Sequence, residues 1–516
     1  MIDMKKIFNL VLLFGAALVA FASCDLDLYP NNAIVYNEDE NVIQTAEDLN
    51  SFENGLHIAF RGRQASTFYY TDDLMFDAFN AATDFGNNYG PVHRTDADFN
   101  AGDDDVETCW GSNYTAITSF NIAIAAAQKV DASLAEPAAI MEGEARFYRA
   151  FTYLYLARHF GKAYNPATAA TDPSVPLITV FDMSYRPDRR STQAEVYAQI
   201  KEDLDAAAEL LAGVQPEAGK QPYIRPTIDA VNALYARYYL DVHEYAKAAE
   251  KAAALVDSGL YKLASTDAEF SAEYTSDTGR EPIFQMYASQ KESPNGLGYY
   301  TQIRTSSDFG QVYSPYYLPS GKLIDSYDAG DKRLANWFSP NGTAGRYIYL
   351  KGAVNTNAEV LIFTKFQGNT AYVTNGIPSG QNAIKPFRIG EMYLIAAEAY
   401  LADGDGASSL KYLNALQEAR GAVPTAATLE NIQLEWFRET VGEGMRGICL
   451  KRWGIGFTAR TAQPAAVADG LVETGNNYAE RAFTSKDFYL YTWPIPNYEL
   501  KINPNLAQNE GYTLSK

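Results

Sequence analysis

Aromatic and polar side chains are interleaved in two stretches of this chain, residues 79–94 and residues 299–317. An aromatic ring can stack on the apolar C–H face of a sugar, while amides, carboxylates and guanidinium groups can form hydrogen bonds with its hydroxyls. This combination predicts a wet binding surface for a polar ligand, although each of these residues also suits loop packing or a turn. The candidate ligand-binding residues are Phe79, Asn80, Asp84, Phe85, Asn87, Asn88, Tyr89, Arg94, Tyr299, Tyr300, Arg304, Tyr313, Tyr316, Tyr317 and, just beyond the second stretch, Trp337.

Motifs for catalysis give no comparable signal. Gly442-x-Gly444-x-x-Gly447 matches the dinucleotide-binding spacing, but it follows the helical pattern LEWFRETV rather than a strand, so it predicts glycines at a helix end. The sequence contains neither an HExxH zinc motif nor a GxSxG nucleophile elbow, and nothing singles out two of its 63 acidic residues as a glycosidase pair. We therefore predict that the chain is not an enzyme.

Metal-binding and disulfide patterns are weak. Residues 98–105 resemble a calcium loop, but its sixth position is Asp103 and its twelfth is Cys109, where an EF-hand needs Gly and Glu. The acidic run also suits the start of a helix, so we predict no metal site and no cofactor and keep a structural calcium as the alternative. Besides Cys24, the cysteines are Cys109 and Cys449; a bond between them stays open, and we predict two buried thiols.

The overall charge narrows the classes of partner. Lys and Arg number 42 against 63 Asp and Glu, which gives a formal net charge of −21. A surface of this sign repels nucleic acid backbones and anionic lipid, so we expect neither nucleic acid nor a basic membrane patch among the partners.

The first residues have the pattern of an export signal. Lys5 and Lys6 precede an apolar run over residues 7–21, and the small residues Ala22 and Ser23 come directly before Cys24. This order is typical of a bacterial lipoprotein signal peptide, which we place at residues 1–23, with lipidation of Cys24 as the membrane anchor. Residues 24–516 are then predicted to form a single domain.

Helical periodicity dominates this domain. Apolar residues recur at intervals of three and four within about 105–260 and 388–420, with Ser191 as a predicted N-cap and Gly161 and Gly259 as predicted helix ends. The pairing of these helices resembles tetratricopeptide hairpins. Long irregular stretches, about 61–104, 270–385 and 455–500, lie between them, and we assign the first two as ligand loops. The predicted fold is mainly α, with helical hairpins as a scaffold and minor β structure.

Four ordered segments carry a more specific resemblance. They are ARFYRAFTYLYLARHFG (residues 145–161), RIGEMYLIAAEA (388–399), WFRETVGEGMR with KRWG after it (436–454) and PIPNYEL with the tail that follows (494–512). Together with Cys24, they resemble the SusD/RagB family of nutrient-binding outer-membrane lipoproteins.

The resemblance implies a mode of action. Members of this family sit as a lid on a SusC-like TonB-dependent barrel and deliver oligosaccharides to it, and their ligand faces are built from loops in the two regions named above. The acidic residues behind Cys24 are similar to the surface-export signal of Bacteroidetes lipoproteins, which implies an exposed position on the outer membrane. Two alternatives stay open: capture of oligopeptides by the same scaffold, and a structural tetratricopeptide protein without a small ligand.

Overall fold

Long helices form where apolar residues recur at helical spacing. The computed structural model describes residues 41–64, 68–182, 184–217, 219, 222–292, 300, 303–340, 347–355, 359–374, 376–378 and 380–512. The predictions for residues 1–23, Cys24 and Tyr299 lie outside these residues. The described helices are α1 (Ala46–Gln64), α2 (Phe68–Met75), α3 (Gly90–Arg94), α4 (Asp104–Ala127), α5 (Ala135–Phe160), α6 (Gln193–Leu210), α7 (Ile228–Asp241), α8 (Tyr245–Asp257), α9 (Asp267–Thr275), α10 (Gly321–Asp325), α11 (Lys332–Trp337), α12 (Ile389–Ala402), α13 (Gly406–Arg420), α14 (Leu429–Glu439), α15 (Arg446–Trp453), α16 (Pro464–Ala468) and α17 (Asn497–Ile502).

Helices that follow each other in the chain pack as pairs. Helix α5 packs against α4 and α6, helix α7 against α8, and helix α12 against both α8 and α13. Rings of α5 such as Phe147, Tyr148 and Phe160 are fully buried in the core. The prediction of a mainly α fold built on helical hairpins is confirmed. Among the described helices, none combines the length and the apolar character needed to cross a membrane.

Local capping explains where these helices begin and end. Helix α6 begins after Thr192, whose hydroxyl accepts from the backbone N–H of Glu195 while the Glu195 carboxylate accepts from the Thr192 N–H. The predicted N-cap, Ser191, is therefore wrong by one residue. Gly161 ends α5 as predicted, and Gly259 follows the end of α8 with a φ of 67°, a backbone angle that favours glycine.

Short strands supply the minor β structure. Strands β1 and β5, β2 and β10, and β6 and β9 form two-stranded antiparallel sheets, and a four-stranded sheet has the order β3-β4-β7-β8. The strands are β1 (Phe79–Ala81), β2 (Pro282–Phe284), β3 (Ile303–Ser306), β4 (Gly310–Tyr313), β5 (Tyr317–Pro319), β6 (Phe338–Pro340), β7 (Ile348–Leu350), β8 (Ala353–Asn355), β9 (Leu361–Phe363) and β10 (Phe387–Arg388).

Two features answer questions that the sequence left open. Cys109 and Cys449 are both buried and no disulfide joins them, as predicted. The loop with Gly442 and Gly444 connects helices α14 and α15, and Gly447 lies in the first turn of α15, so these glycines do not follow a strand. At Gly442, where φ is 78°, an added Cβ would lie 2.7 Å from a ring carbon of Phe366, which explains the absence of a side chain there.

Candidate ligand-binding face

The two predicted ligand stretches meet in an antiparallel strand pair. Ala81 of β1 lies opposite Tyr317 of β5, and the backbone N–H of Ala82 donates to the Tyr316 carbonyl at 2.9 Å. The hydroxyl of Tyr317 donates to the carbonyl of Asn88 at 2.6 Å. Residues more than 200 positions apart in the chain are thereby fixed beside each other.

A third segment completes this region of the surface. Ala82 forms an antiparallel bridge with Val472, and the backbone N–H of Thr83 donates to the Leu471 carbonyl at 3.0 Å. The chain then turns at residues 475–478. The sequence predicted a long irregular stretch here but no ligand residue.

Two turns of identical sequence lie in this region. Residues 86–89 and residues 475–478 both read Gly-Asn-Asn-Tyr. Gly86 and Gly475 have φ angles of 62° and 105°, in the left-handed region that glycine tolerates. Asn87 is also left-handed, at 60°, which Asn accepts more readily than most residues. Each turn exposes amide side chains and ends in a tyrosine, so the repeated sequence was a signal that could have identified the second turn.

The Arg94 side chain connects the two turns. Its Nη1 donates to Asn87 Oδ1 at 2.7 Å, its Nε donates to Asp96 Oδ2 at 2.6 Å, and it forms a hydrogen bond with the Tyr478 side chain. Although burial lowers the pKa of Arg94, the bonds to Asp96 and Tyr478 raise it above the ordinary value, so the group is cationic at neutral pH. A charged donor therefore stands between two amide-bearing turns.

Three tyrosines give this region its rings. Tyr89, Tyr316 and Tyr478 are each half-buried and pack against the same hydrophobic cluster, in which Phe85 lies 6.0 Å from Tyr317 and 6.3 Å from Tyr478 between ring centroids. A ring fixed on one side and open on the other can stack on a ligand at little cost in conformational entropy. We call the surface formed by Asp84, residues 86–89, Arg94, Tyr316 and residues 475–478 the twin-turn face.

The other predicted rings are part of the core. Tyr300 and Phe79 pack at 4.5 Å between centroids, and the Lys365 ammonium lies 4.0 Å from the Trp337 ring centroid. Side chains with no more than 7% of their surface exposed offer a ligand neither a ring face nor, at Asn80, an accessible amide, so they are not part of the face. These buried candidates are Phe79, Asn80, Phe85, Tyr300, Tyr313, Tyr317 and Trp337.

The remaining predicted residues border the face. Asn88 is half-buried, and its amide nitrogen donates to the Phe85 carbonyl at 2.6 Å, which closes the first turn. Asp84 accepts from the backbone N–H of Gly352 in the turn between β7 and β8. Arg304 is exposed on β3, and its guanidinium carbon lies 5.7 Å from the Tyr349 ring. It therefore belongs to the neighbouring four-stranded sheet rather than to either turn.

Carboxylates also cluster at the start of α4. Asp103 caps this helix by accepting from the N–H groups of Asp105 and Val106, and burial raises its pKa to about 6. Burial, with Asp103 and Asp104 nearby, raises the pKa of Asp105 to about 7. The acidic run thus serves the helix start, which was the competing interpretation to a calcium loop.

Comparisons with known proteins identify the family. A family model described as starch-binding and associating with the outer membrane matches residues 26–240, and one described as the SusD family matches residues 280–512. The chain belongs to the SusD/RagB family. The resemblance carried by the four sequence segments is therefore confirmed, and this SusD/RagB chain falls into a family of carbohydrate-binding proteins that work with outer-membrane transport.

Individual relatives agree with this assignment. The chain is similar to a SusD-like protein P2 of Formosa agariphila, with 26% identity over 92% of this chain and 94% of that protein. It also matches the starch-binding protein SusD of Bacteroides thetaiotaomicron at 28% identity, over 38% of this chain and 36% of that protein. A solved structure of a putative sugar binding protein from Bacteroides vulgatus superposes with a TM-score of 0.72 at 23% identity and covers 92% of this chain and 100% of that one.

An open cleft elsewhere in this SusD/RagB chain is a competing place for a ligand. It is open to solvent and is lined by residues around the end of α15 and the C-terminal segment, including Lys162, Lys451, Phe488 and Tyr489. None of the predicted ligand residues lines it. Its rings and cations resemble those of the twin-turn face in kind, so experiments on the face need a control in this cleft.

Proposed function

We propose that the chain captures oligosaccharides at the cell surface on the twin-turn face and delivers them to a SusC-like TonB-dependent barrel. The observation that carries the proposal is the convergence of three distant loop segments on one face with three half-buried tyrosines, exposed amides and one guanidinium. Family membership supports the class of ligand, and the face supplies the place.

The chemistry of the face suits neutral sugars. Tyr89, Tyr316 and Tyr478 offer ring surfaces for stacking, and the amides of the two turns with Arg94 offer donors and acceptors for hydroxyls. The face is a surface rather than a deep pocket, so we expect dissociation constants in the range of about micromolar to millimolar. Because nothing in this chemistry breaks a glycosidic bond, we infer binding without catalysis.

The proposal includes an anchor and a partner. Lipidated Cys24 would tether the mature chain to the outer membrane, and the domain would cover the barrel as a lid. Replacement of Cys24 by Ser should release the protein from the outer-membrane fraction. The barrel should co-isolate with the wild-type chain and also with a Tyr478→Ala variant. This result would show that partner binding does not depend on ligand binding.

Calorimetry with a broad panel of neutral oligosaccharides tests the ligand face. For the oligosaccharide that binds best, Tyr89→Ala and Tyr478→Ala should each raise the dissociation constant by about tenfold, the effect of losing about 1.4 kcal/mol of stacking. Tyr478→Phe keeps the ring and should stay within about threefold of the wild type.

Two tyrosines provide matched controls. Tyr185 is 46% exposed, and Tyr489, which is 42% exposed, lines the competing cleft. Their alanine variants should bind like the wild type. Loss of binding in Tyr489→Ala with retention in Tyr478→Ala would place the ligand in the cleft and end the proposal for the face. If the protein bound peptides but no oligosaccharide, the proposed ligand class would be wrong. If neither Tyr89→Ala nor Tyr478→Ala affected uptake, a purely structural role would be favoured.

A further inference from the structure

Three ionisable side chains converge between helices α1 and α5, in a region that contains no twin-turn residue. Glu53 and His57 are four positions apart on α1, a spacing that puts both side chains on the same helix face. Glu144 of α5 faces them. One potential ligand atom from each residue lies within 4.8 Å of the corresponding atoms of the other two.

The distance between His57 Nε2 and Glu144 Oε2 fits two ligands of one metal ion better than a hydrogen bond. His57 Nε2 and Glu144 Oε2 lie 3.4 Å apart, beyond the usual 2.7–3.2 Å of a hydrogen bond, and both atoms are buried without a hydrogen-bond partner. Two ligands of a tetrahedral zinc ion, with bond lengths of about 2.0–2.2 Å, stand roughly 3.3–3.6 Å apart. Glu144 is only 1% exposed, so water does not solvate its carboxylate.

The imidazole of His57 is held in an orientation that suits a ligand. Its Nδ1 lies 2.6 Å from the Tyr148 hydroxyl, one turn after Glu144 on α5. When Nδ1–H donates to this oxygen, the Nε2 lone pair is left for a metal ion. Metal-ligating histidines typically have such a partner on their other ring nitrogen.

The surrounding charges set the strength of the site. Arg225 pairs with Glu53, and its positive charge opposes that of a bound cation. Arg61 also lies near His57 and adds to this opposition. The carboxylate oxygens of Glu53 and Glu144 would offset it, because a bound cation favours their ionised form. We therefore expect moderate affinity rather than the very tight binding of zinc fingers.

We propose that Glu53, His57 and Glu144 form a zinc-type divalent metal site that fastens helix α1 to helix α5, with water completing the coordination shell. One imidazole and two carboxylates are ligands that zinc accepts, whereas calcium prefers oxygen ligands only. Because α1 is the first described helix and α5 lies in the helical scaffold, the metal would act as a cross-link between them. The site is independent of the twin-turn face.

Zinc titration of the tag-free mature protein tests the proposal, with a chromogenic chelator as competitor. The wild type should bind one zinc ion at this site, and His57→Gln and Glu144→Gln should each weaken that binding at least tenfold. Tyr148→Phe keeps the buried ring but removes the hydroxyl and should weaken binding about tenfold or more. Calcium should not compete. His243→Gln and Glu136→Gln, which change the same residue types away from the site, should bind zinc like the wild type.

Crystals soaked in zinc provide a test that needs no variant. An anomalous peak between His57 Nε2 and Glu144 Oε2 is the expected result. Absence of that peak at zinc concentrations that saturate the protein, or wild-type affinity in both His57→Gln and Glu144→Gln, would overturn the proposal. Thermal unfolding checks that the variants are folded, and only the wild type and the two controls should gain stability from zinc.

Discussion

Half-buried tyrosines are the side chains on which the twin-turn face depends. A fully buried ring, such as Tyr300, contributes to the core, and a fully exposed ring would lose conformational freedom on binding. Tyr89, Tyr316 and Tyr478 are neither fully buried nor fully exposed, because one side of each ring packs on the hydrophobic cluster. The same reasoning applies to Arg94, whose bonds to Asn87 and Asp96 hold the guanidinium in place before a ligand arrives.

Asp73 gives a prediction at the scale of one residue. It lies buried on α2 and accepts from the Gly444 N–H at 3.0 Å. Burial, with Asp72 and Glu443 nearby, raises its pKa to about 7 despite the bond from Gly444 and the charge of Lys365. The folded state therefore keeps a proton that the unfolded state has lost between about pH 4 and pH 7, and stability decreases as pH rises through this window.

Replacing Asp73 by Asn should remove this pH dependence. The stability of Asp73→Asn relative to the wild type should increase by about 2–4 kcal/mol between pH 4 and pH 8, measured by denaturant unfolding. Asp131→Asn, at an exposed position whose side chain caps no helix, is the control and should show no such trend. A constant difference between Asp73→Asn and the wild type at both pH values would contradict the assignment.

At the scale of elements, a buried ion network joins helices from distant parts of the chain. Glu439 of α14 pairs with Arg420 of α13 at 2.6 Å, with Arg333 of α11 at 3.0 Å and with Arg388 of β10 at 3.4 Å. Burial alone would raise the pKa of Glu439, but the guanidinium groups of Arg420 and Arg388 outweigh it and hold the pKa well below the ordinary value. The carboxylate is therefore charged and fully paired at neutral pH.

Removing this charge should destabilise the packing of these elements. Glu439→Gln leaves buried guanidinium groups without their partner, so we expect a loss of about 3–5 kcal/mol in the free energy of unfolding at neutral pH. Because the pKa of Glu439 is depressed in the folded state, the stability that its charge contributes is fully present above the unfolded pKa. This stability should be lost progressively as pH falls from the unfolded pKa towards the lower folded pKa. Glu430→Gln, in the exposed first turn of the same helix, is the control. Equal effects of the two substitutions would argue against the network.

These examples show which features could be predicted from the sequence. Helical periodicity sufficed for the hairpins, because burial of one helix face imposes a regular spacing. The network of Glu439 was not predictable, because its partners lie up to 106 positions away. The N-cap of α6 was misplaced because Ser191 and Thr192 are both good caps, and only the reciprocal bonds with Glu195 choose between them.

The placement of ring side chains is hard to predict for a related reason. Residues 79–94 and 299–317 were assigned to one ligand face, and the structure does pair Phe79–Ala81 with Tyr317–Pro319. A ring in a loop, however, has the same composition whether it points into the core or towards solvent. Phe79 and Trp337 illustrate this ambiguity. The turn at residues 475–478 was missed, although it repeats the sequence of residues 86–89.

At the scale of the whole molecule, the net charge of −21 separates the two ligand classes. A neutral oligosaccharide makes no net charge interaction with this surface, so its dissociation constant should change less than about twofold between roughly 50 and 500 mM NaCl. A basic peptide attracted by the acidic surface should bind at least about tenfold more weakly at the higher salt concentration. Calorimetry at both concentrations measures this difference, and strong salt dependence for the neutral sugar would contradict the proposed recognition.

The twin-turn face draws on three segments that are far apart in the chain, and the backbone N–H of Thr83 donates to the Leu471 carbonyl across 388 positions. During translation, the first turn leaves the ribosome long before the second one exists. A nascent chain therefore has no complete recognition surface until its synthesis is nearly finished. The proposed sugar capture is therefore expected only of a molecule that contains both turns, and a truncation that removes either turn should abolish it.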